Sequence, residues 1–540
     1  MTHLLVIGDV GAVDGVRHVG DEAMTEAAMV ELSRRGDYRF TVMSADPAET
    51  TSTYAHLGVK TIRRPGTPGG NDLNRTNRLQ AITAAAAANP ATLAEDDPAW
   101  DLIGAVAECD ALLIAGGGNL TSLWTDRVDE RLAAARLAKQ FNRPILISGQ
   151  TVGPALSGLA GAFIDELMGL ATVVGLREQQ SFDLLLSRSI PAIKLRRTID
   201  DATFLPDAEA SELVAIGVAS PFILATFAPF TAVVAPDAAA AAYARLLDAV
   251  AADASAKVVF LPHEGSTGSI DDFDSAMHQR IASHLSAKHR LLPVVSNRLS
   301  ASLARTAAVS VSSRYHPAVF ALGADVPAIT ISADRYMNTK LTGAGVNFGL
   351  QDLSFPLVEL LADRVEPQVA AALGSLSQTR NARESLIAAR RRENAAWWDE
   401  LHALATGQHT EAATWQVAPR LSIRDDSAVT ITRNLANYQA QVGDLLIERR
   451  ELNATIGTLR SAIAAAEMAA VEAHSEVDLM AQRVLDRGYS MRVADDEREA
   501  ARAELTALRK ELAKRRTLCA HARLMVYRFV KRMRRHSARK

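Results

Sequence analysis

Residues 111–119 read Ala-Leu-Leu-Ile-Ala-Gly-Gly-Gly-Asn. Five apolar residues in a row, ended by glycine, predict a short strand buried on both faces. The glycines after it predict a loop whose main chain can touch a ligand. Working outward, the same pattern recurs. Short apolar runs lie at His3–Ile7, Phe40–Met43, Pro144–Ser148 and Thr172–Leu176, then at Phe222–Phe227, Lys257–Leu261, Ala308–Ser312 and Ala328–Ser332. Between them stand stretches with apolar residues at helical spacing, such as Glu22–Arg35 and Val128–Phe141. Strands alternating with helices predict an α/β fold of parallel sheets covered on both faces. Two such series meet near Asp200–Asp207. The expectation is two Rossmann-like domains, 1–190 and 191–410, with a cleft between them, and ligands at the carboxyl ends of the strands.

Composition narrows the class. The chain has 540 residues, 48% hydrophobic and 22% charged, which excludes global disorder. Its two cysteines, Cys109 and Cys519, exclude a disulfide framework and a Cys-only zinc site. The N-terminus lacks a basic lead and a long apolar core, and no apolar run approaches the roughly 20 residues of a membrane span. A cytoplasmic protein is expected. The net charge of −3 conceals eight Lys/Arg and no Asp/Glu between Arg523 and Lys540, which leaves −11 on residues 1–522. So acidic a body is not a nucleic-acid binder.

The C-terminal part changes character. After helical residues 361–410 with Trp397 and Trp398 as packing anchors, 411–430 reads as a linker. A heptad register then places Leu435, Val442, Ile456, Ile463 and Val477 at a, with Ile431, Tyr438, Leu445, Leu452, Leu459 and Met480 at d. Across 431–533, 26 of 30 seam positions are apolar, where composition alone gives about half, so a coiled coil is expected. Such a rod implies a homo-oligomer. The basic tail, 523–540, also carries Tyr527 and Phe529, and so suits peripheral contact with anionic lipid at the inner face of a membrane.

Several clusters at strand ends carry chemistry. Gly20-Asp21-Glu22 opens a helix after the first strand and loop, where glycine permits close approach and Asp21 alternatively serves as a cap. Ser148-Gly149-Gln150-Thr151-Val152-Gly153-Pro154 adds a second cleft wall beside Gly116, Gly117 and Gly118. Arg177 follows the strand Thr172–Leu176, where its planar fork suits a carboxylate or phosphate, or else pairs with Glu178 or Asp183. Densest is Ser312-Ser313-Arg314-Tyr315-His316-Pro317, followed by Asp334-Arg335-Tyr336-Met337-Asn338-Thr339-Lys340. His263 and Glu264 end the Val258–Leu261 run. Basic clusters in the second half facing glycine loops in the first suit an anionic substrate. Metal signals are poor: Asp272-Phe273-Asp274 is a D-x-D of the kind common on acidic surfaces, and no metal is expected.

Taken in order, His18-Val19-Gly20-Asp21-Glu22, Gly116-Gly117-Gly118, Gly149 to Pro154, Leu176-Arg177-Glu178-Gln179-Gln180-Ser181, Asp201, Arg314-Tyr315-His316 and Tyr336 to Lys340 resemble the polysaccharide pyruvyl transferase family. The likeness covers about residues 1–350 and leaves the heptads outside. It departs at His18, where the family usually has Asn, and at Pro317, where Gly is common. The resemblance implies a GT-B-like fold and transfer of the enolpyruvyl group of phosphoenolpyruvate to a sugar of a cell-surface polysaccharide or glycolipid precursor. The product is a ketal, with no cofactor. It also implies that Arg177, Tyr315 and His316 hold the donor, with Arg314 beside them. Lys340 and the three glycines complete the donor set expected here, with His316 as acid. Glu264 or Asp201 would serve the acceptor hydroxyls, with Gly20, Asp21 and Glu22 lining the acceptor side. Two alternatives stand beside this reading: a glycosyltransferase using a nucleotide sugar, and a non-catalytic scaffold whose rod carries the function.

Overall fold

The computed structural model describes the chain apart from residues 67–71, 88–89, 230–233, 267–268, 422–425, 491–498, 501, 512 and 515–540. It forms two compact units, Met1–Gly443 and Asp444–Lys540.

The first unit is α/β and holds two parallel sheets. In one the strands run Lys60–Arg63, Tyr38–Ser44, Thr2–Ile7, Ala111–Ile114, Ile145–Val152, Val173–Leu176, Leu195–Arg197, with Gly117–Leu120 alongside Ile145–Val152. In the other the order is His289–Leu291, Lys257–Phe260, Phe222–Thr226, Val309–Ser312, Ala328–Ser332, Ser354–Pro356. Each sheet starts in its middle, grows to one side, and then crosses back to grow on the other. That reversal leaves a crevice at the carboxyl ends of its two central strands. The crevices lie after Ile7 and Ile114 in the first sheet, and after Thr226 and Ser312 in the second.

The central strands are the apolar runs expected, with Ala111–Ile114, Val173–Leu176 and Phe222–Thr226 buried throughout. At the edges of the two parallel sheets, four strands carry no apolar run: Lys60–Arg63, Leu195–Arg197, His289–Leu291 and Ser354–Pro356. All four are short, and all but Ser354–Pro356 are partly exposed, so hydrophobicity does not mark them. The glycine triplet also differs from the loop expected. Gly117–Leu120 pairs with Ile145–Val152, an arrangement set by its neighbour rather than by glycine's own low strand preference.

Two features join the halves of this unit. Helix Val19–Ser33 turns Ala28, Met29 and Leu32 toward the first sheet, while Ala23, Met24 and Ala27 pack with Ala202, Leu205 and the second core. Just before it, Val16–His18 pairs antiparallel with Glu264–Ser266, setting His18 opposite Glu264. The loop 9–17 therefore ends in a clasp with the second half.

Of the helical residues 361–410, Val365, Val369, Ala372 and Leu376 pack with the second core as expected, whereas helix Arg380–Ala405 turns back to the first half. Trp397, Trp398, Leu401 and Ala405 pack with Leu4, Val6 and Phe40 of the first sheet, and the Trp397 indole N–H donates to Ser148 Oγ at 2.9 Å. Truncating one such tryptophan in a core costs about 3–5 kcal/mol. Nor is 411–421 a free linker. Ala413 and Gln416 N–H groups donate to Glu400 and Glu393, Trp415 lies under the guanidinium of Arg390 at 3.8 Å, and Leu421 N–H reaches Gly349 O at 3.1 Å.

A single helix then runs from Asp426 to Ser490. Within the first unit its buried stripe is Thr432, Ala436, Gln439 and Ala440, with Gln439 bonded to Ser332 O and Val358 N–H. The seam positions Ile431 and Tyr438 are exposed, as are Leu445 and Met480 in the second unit, where Val477 is buried. Seam positions within 491–498, at Ala501 and Leu512 and from 515 onward, and the basic tail, lie outside the described residues. Among the described residues, no helix is long and apolar enough to cross a membrane.

Candidate active site

The strand Val173–Leu176 delivers Arg177 into the cleft between the sheets, fully buried. Its Nε donates to Thr151 Oγ1 at 2.8 Å and lies 3.1 Å from Glu178 Oε1, while Nη1 pairs with Asp200. Burial alone would lower its affinity for a proton, but Tyr315, Glu178 and Asp200 hold the guanidinium charged. Nη2 has no partner among the described residues.

From the second half come two helices. Tyr315–Leu322 follows the strand Val309–Ser312, so Tyr315 and His316 occupy its first turn, where free N–H groups favour an anion. The Tyr315 ring lies under Arg177, 4.4 Å from the guanidinium carbon, and 5.1 Å from Lys340 Nζ. Helix Arg335–Asn347 supplies Tyr336 and Lys340, one turn apart. The Tyr336 hydroxyl donates to Gly118 O at 2.7 Å and accepts from Lys340 Nζ at 3.2 Å. Burial, then the charge of Arg177, brings the Lys340 pKa down to about 8.

These groups converge on Gly118. A methyl carbon there would lie 2.4 Å from Tyr336 Oη, 3.0 Å from Lys340 Nζ and 3.4 Å from Arg177 Nη2. Two cations thus meet at a glycine.

His316 sits beside this point. Its Nε2 is 3.7 Å from Asp200 Oδ2, too long for a hydrogen bond, and has no partner. Its Nδ1 faces Gly20, where a Cβ would approach to 1.7 Å. Burial, then Arg177 and Lys340, holds the imidazole well below its ordinary pKa, so it is neutral around pH 7. On the other side, no hydrogen bond or ion pair closes on the Asp21 carboxylate among the described residues. Burial and the charge of Asp9 raise its pKa, opposed by His18, Lys340 and Arg177.

The structure therefore gathers Arg177, Tyr315, His316, Lys340 and Gly118, with Asp21 within electrostatic reach. Other sequence-stretch candidates are engaged elsewhere. Arg314 binds Asp274 at 2.6 Å and Glu264 at 2.5 Å, and Asp274 also accepts the main-chain N–H groups of His263 and Glu264. Fully buried, Asp274 is an interior anchor and not part of an acidic surface. Glu22 pairs with Arg17. Asp201 accepts from Ser148 Oγ at 2.7 Å and from Gly116 N–H at 3.0 Å, and burial pushes its pKa up to about 7. Gly116 and Gly149 make room for that carboxylate, as Gly20 does for His316, and Gly117 lies against Gln150. Asp200 and Tyr336 carry no role in the sequence reading. The i, i+4 spacing of Tyr336 and Lys340 was the available signal; nothing local marks Asp200 over Asp201. Among the described residues, no group of three or more His, Cys, Asp or Glu is placed to hold a metal.

The family model for polysaccharide pyruvyl transferase matches residues 18–335, more than half of the chain. The chain belongs to the polysaccharide pyruvyl transferase family. It is a transferase, and the match runs from His18 in the clasp through Arg177, Tyr315 and His316, stopping five residues before Lys340. No curated protein matches the chain. Solved structures resemble this family member only distantly. UDP-GlcNAc 2-epimerase from Neisseria meningitidis, bound to UDP-GlcNAc, is 13% identical with a TM-score of 0.44, covering 72% of this chain and 94% of its own. Another UDP-N-acetylglucosamine 2-epimerase is 12% identical with a TM-score of 0.46, covering 77% and 99%. The glycotransferase of kitacinnamycin is 12% identical with a TM-score of 0.41, covering 75% and 98%.

Proposed function

We propose that this enzyme transfers the pyruvyl group of phosphoenolpyruvate to two hydroxyls of a sugar in a cell-surface polysaccharide or glycolipid precursor, forming a ketal. The observation that carries the reading is the pair of buried, unpartnered atoms Arg177 Nη2 and His316 Nε2, beside Lys340 at Gly118. A carboxylate and a phosphate on one small molecule would satisfy all three groups at once. The structural arginine Arg314, by contrast, has its charge met by Asp274 and Glu264.

The reaction adds a proton to the methylene carbon C3 and an acceptor oxygen to C2. The C2–O bond to phosphate then breaks, and the second hydroxyl closes the ketal. Of the two hydroxyl protons, one balances C3 and one leaves with phosphate. Arg177 and Lys340 hold the donor's charges, and His316, once charged by the bound anion, is the acid for C3. Asp21 takes the role the sequence suggested for Glu264 and Asp201, because its carboxylate is unpaired, faces the same cleft and is raised in pKa. No cofactor or metal enters this scheme.

Titration of Lys340 and His316 gives the binding a pH dependence with one sign. Both pKa values are depressed in the empty protein and rise when an anion binds, so binding takes up protons. Calorimetry with phosphoenolpyruvate in buffers of different ionisation enthalpy should show net uptake near pH 7.5. Affinity should fall by up to about tenfold per pH unit above 8. Constant affinity from pH 7 to 9.5, or binding of a nucleotide sugar in its place, would remove this donor assignment.

The heptads fit a coiled coil that makes the enzyme a homo-oligomer, and the tail a peripheral contact with anionic lipid, at a cytoplasmic location. The exposure of Ile431, Tyr438, Leu445 and Met480 supports an open seam, because the small stripe through Ala436 and Ala440 already docks the helix on the body. Sedimentation of the full chain against residues 1–443 tests it: the full chain should be oligomeric and the truncated form monomeric. Equal masses would remove the coiled coil.

A further inference from the structure

Four residues outside the donor pocket form a second cluster at the carboxyl edge of the first sheet. Asp9 follows the strand Thr2–Ile7, at the reversal of strand order, and Arg64 follows the strand Lys60–Arg63. Arg127 and Arg131 come from successive turns of helix Thr125–Gln140. All three guanidinium groups turn to the one carboxylate: Arg64 Nη2 at 3.4 Å and Arg127 Nε at 3.2 Å from Oδ1, and Arg131 Nη2 at 3.2 Å from Oδ2.

This is not how the chain builds its stabilising pairs. Arg75 meets Asp129, and Arg136 meets Glu166, through two bonds of 2.7 Å each. At Asp9 every contact is long and single, and among the described residues the Nε atoms of Arg64 and Arg131 have no partner although Arg131 is 1% exposed. A fully buried donor without an acceptor is costly unless a ligand supplies one. The other acids nearby are Asp126 and Glu130, each 3.5 Å from Arg127. Asp126 is half exposed, and burial pushes the Glu130 carboxyl up to about 7, weakening its hold on the arginines at neutral pH. Three permanent cations therefore face less negative charge than they can hold.

We infer that Asp9, Arg64, Arg127 and Arg131 form an anion subsite for the acceptor, taking a phosphate, diphosphate or carboxylate that the sugar carries. Asp9 holds the guanidinium groups apart in the empty protein, and the ligand's oxygens replace its long contacts. The placement rests on the pyruvyl-transfer reading in one respect: Asp9 stands after the strand Thr2–Ile7, at the crevice of the first sheet, and Asp21 feels the charges of Asp9, Lys340 and Arg177 alike. An acceptor anchored at the arginines would thus present its hydroxyls to Asp21 and to the donor.

The test uses the full chain and calorimetric titrations with inorganic pyrophosphate, glucose 1-phosphate, glucuronate and glucose, each with and without saturating phosphoenolpyruvate. The anionic probes should bind with the donor present, and glucose should not. Pyrophosphate alone binding identifies free phosphate as the source, glucose 1-phosphate binding a sugar phosphate, and glucuronate binding a sugar acid; each supports the subsite. Arg64→Gln and Arg127→Gln should weaken that binding by at least tenfold while leaving phosphoenolpyruvate affinity within about twofold, consistent with the roughly 1.5–3 kcal/mol of a charged hydrogen bond. Asp9→Asn should tighten it, because the competing carboxylate is gone; a purely structural network would only melt earlier. Anionic probes that bind no better than glucose, that phosphoenolpyruvate displaces completely, or that the three variants leave unchanged overturn the inference. Absence of phosphoenolpyruvate binding to the wild type overturns the donor reading alone, since the arginine variants are read separately with pyrophosphate.

Discussion

Arg177→Ala is expected to abolish saturable phosphoenolpyruvate binding and to lower stability by about 3–5 kcal/mol, because it leaves Asp200 and Glu178 buried without their cation. Those two effects are entangled in the alanine variant, and Arg177→Lys separates them. Lysine keeps the charge near Asp200 and Glu178 but loses the planar fork, and with it the Nη2 atom aimed at Gly118. It should fold, melt close to the wild type, and bind phosphoenolpyruvate at least about 30-fold more weakly, as about 2 kcal/mol implies. Thermal melting and calorimetry on both variants decide this. A folded lysine variant with wild-type affinity would show that the guanidinium is only a structural anchor.

Gly20→Ala is expected to lower kcat/KM by roughly 100-fold with little change in fold. The added Cβ would stand 1.7 Å from His316 Nδ1, and the ring cannot simply retreat, since it packs against Tyr315 and Phe320 with centroids 5.2 and 6.0 Å away. A displacement of about 1 Å of a catalytic group is enough to cost that factor. Overpacking itself should cost about 1–3 kcal/mol. The informative readout is the split between parameters: proton delivery suffers, so kcat falls, while Arg177 and Lys340 still hold the donor. Gly104→Ala is the control, because nothing lies within 4 Å of a Cβ there and its backbone is not left-handed. If Gly20→Ala turns over like the wild type, His316 is not the acid.

Much of this protein is legible along the chain. The interior strands are local apolar runs, and a run such as Ala111–Ile114 can be stable only where both faces are covered, so hydrophobicity alone finds it. The order of the strand-end clusters identifies the family, and Arg177, Tyr315, His316 and Lys340 do meet. The edge strands, the return of Trp397 and Trp398 to the first sheet, and the pinned segment 411–421 were hidden. Each depends on a surface made by residues far away in sequence.

Sequence alone determined the α/β class, the two series of strands, and which residue types stand at the cleft, because burial and turn formation are read from neighbours a few positions apart. Tertiary structure decided what each charge does. Arg177 and Arg314 look alike at the ends of their strands, but one meets Asp200 and Glu178 and keeps a free Nη2, while the other is neutralised by Asp274 and Glu264. Likewise Asp201 is held by Ser148 and Gly116, whereas Asp21 is left open. Electrostatic interaction falls off over a few ångströms in space, and sequence separation does not measure that distance.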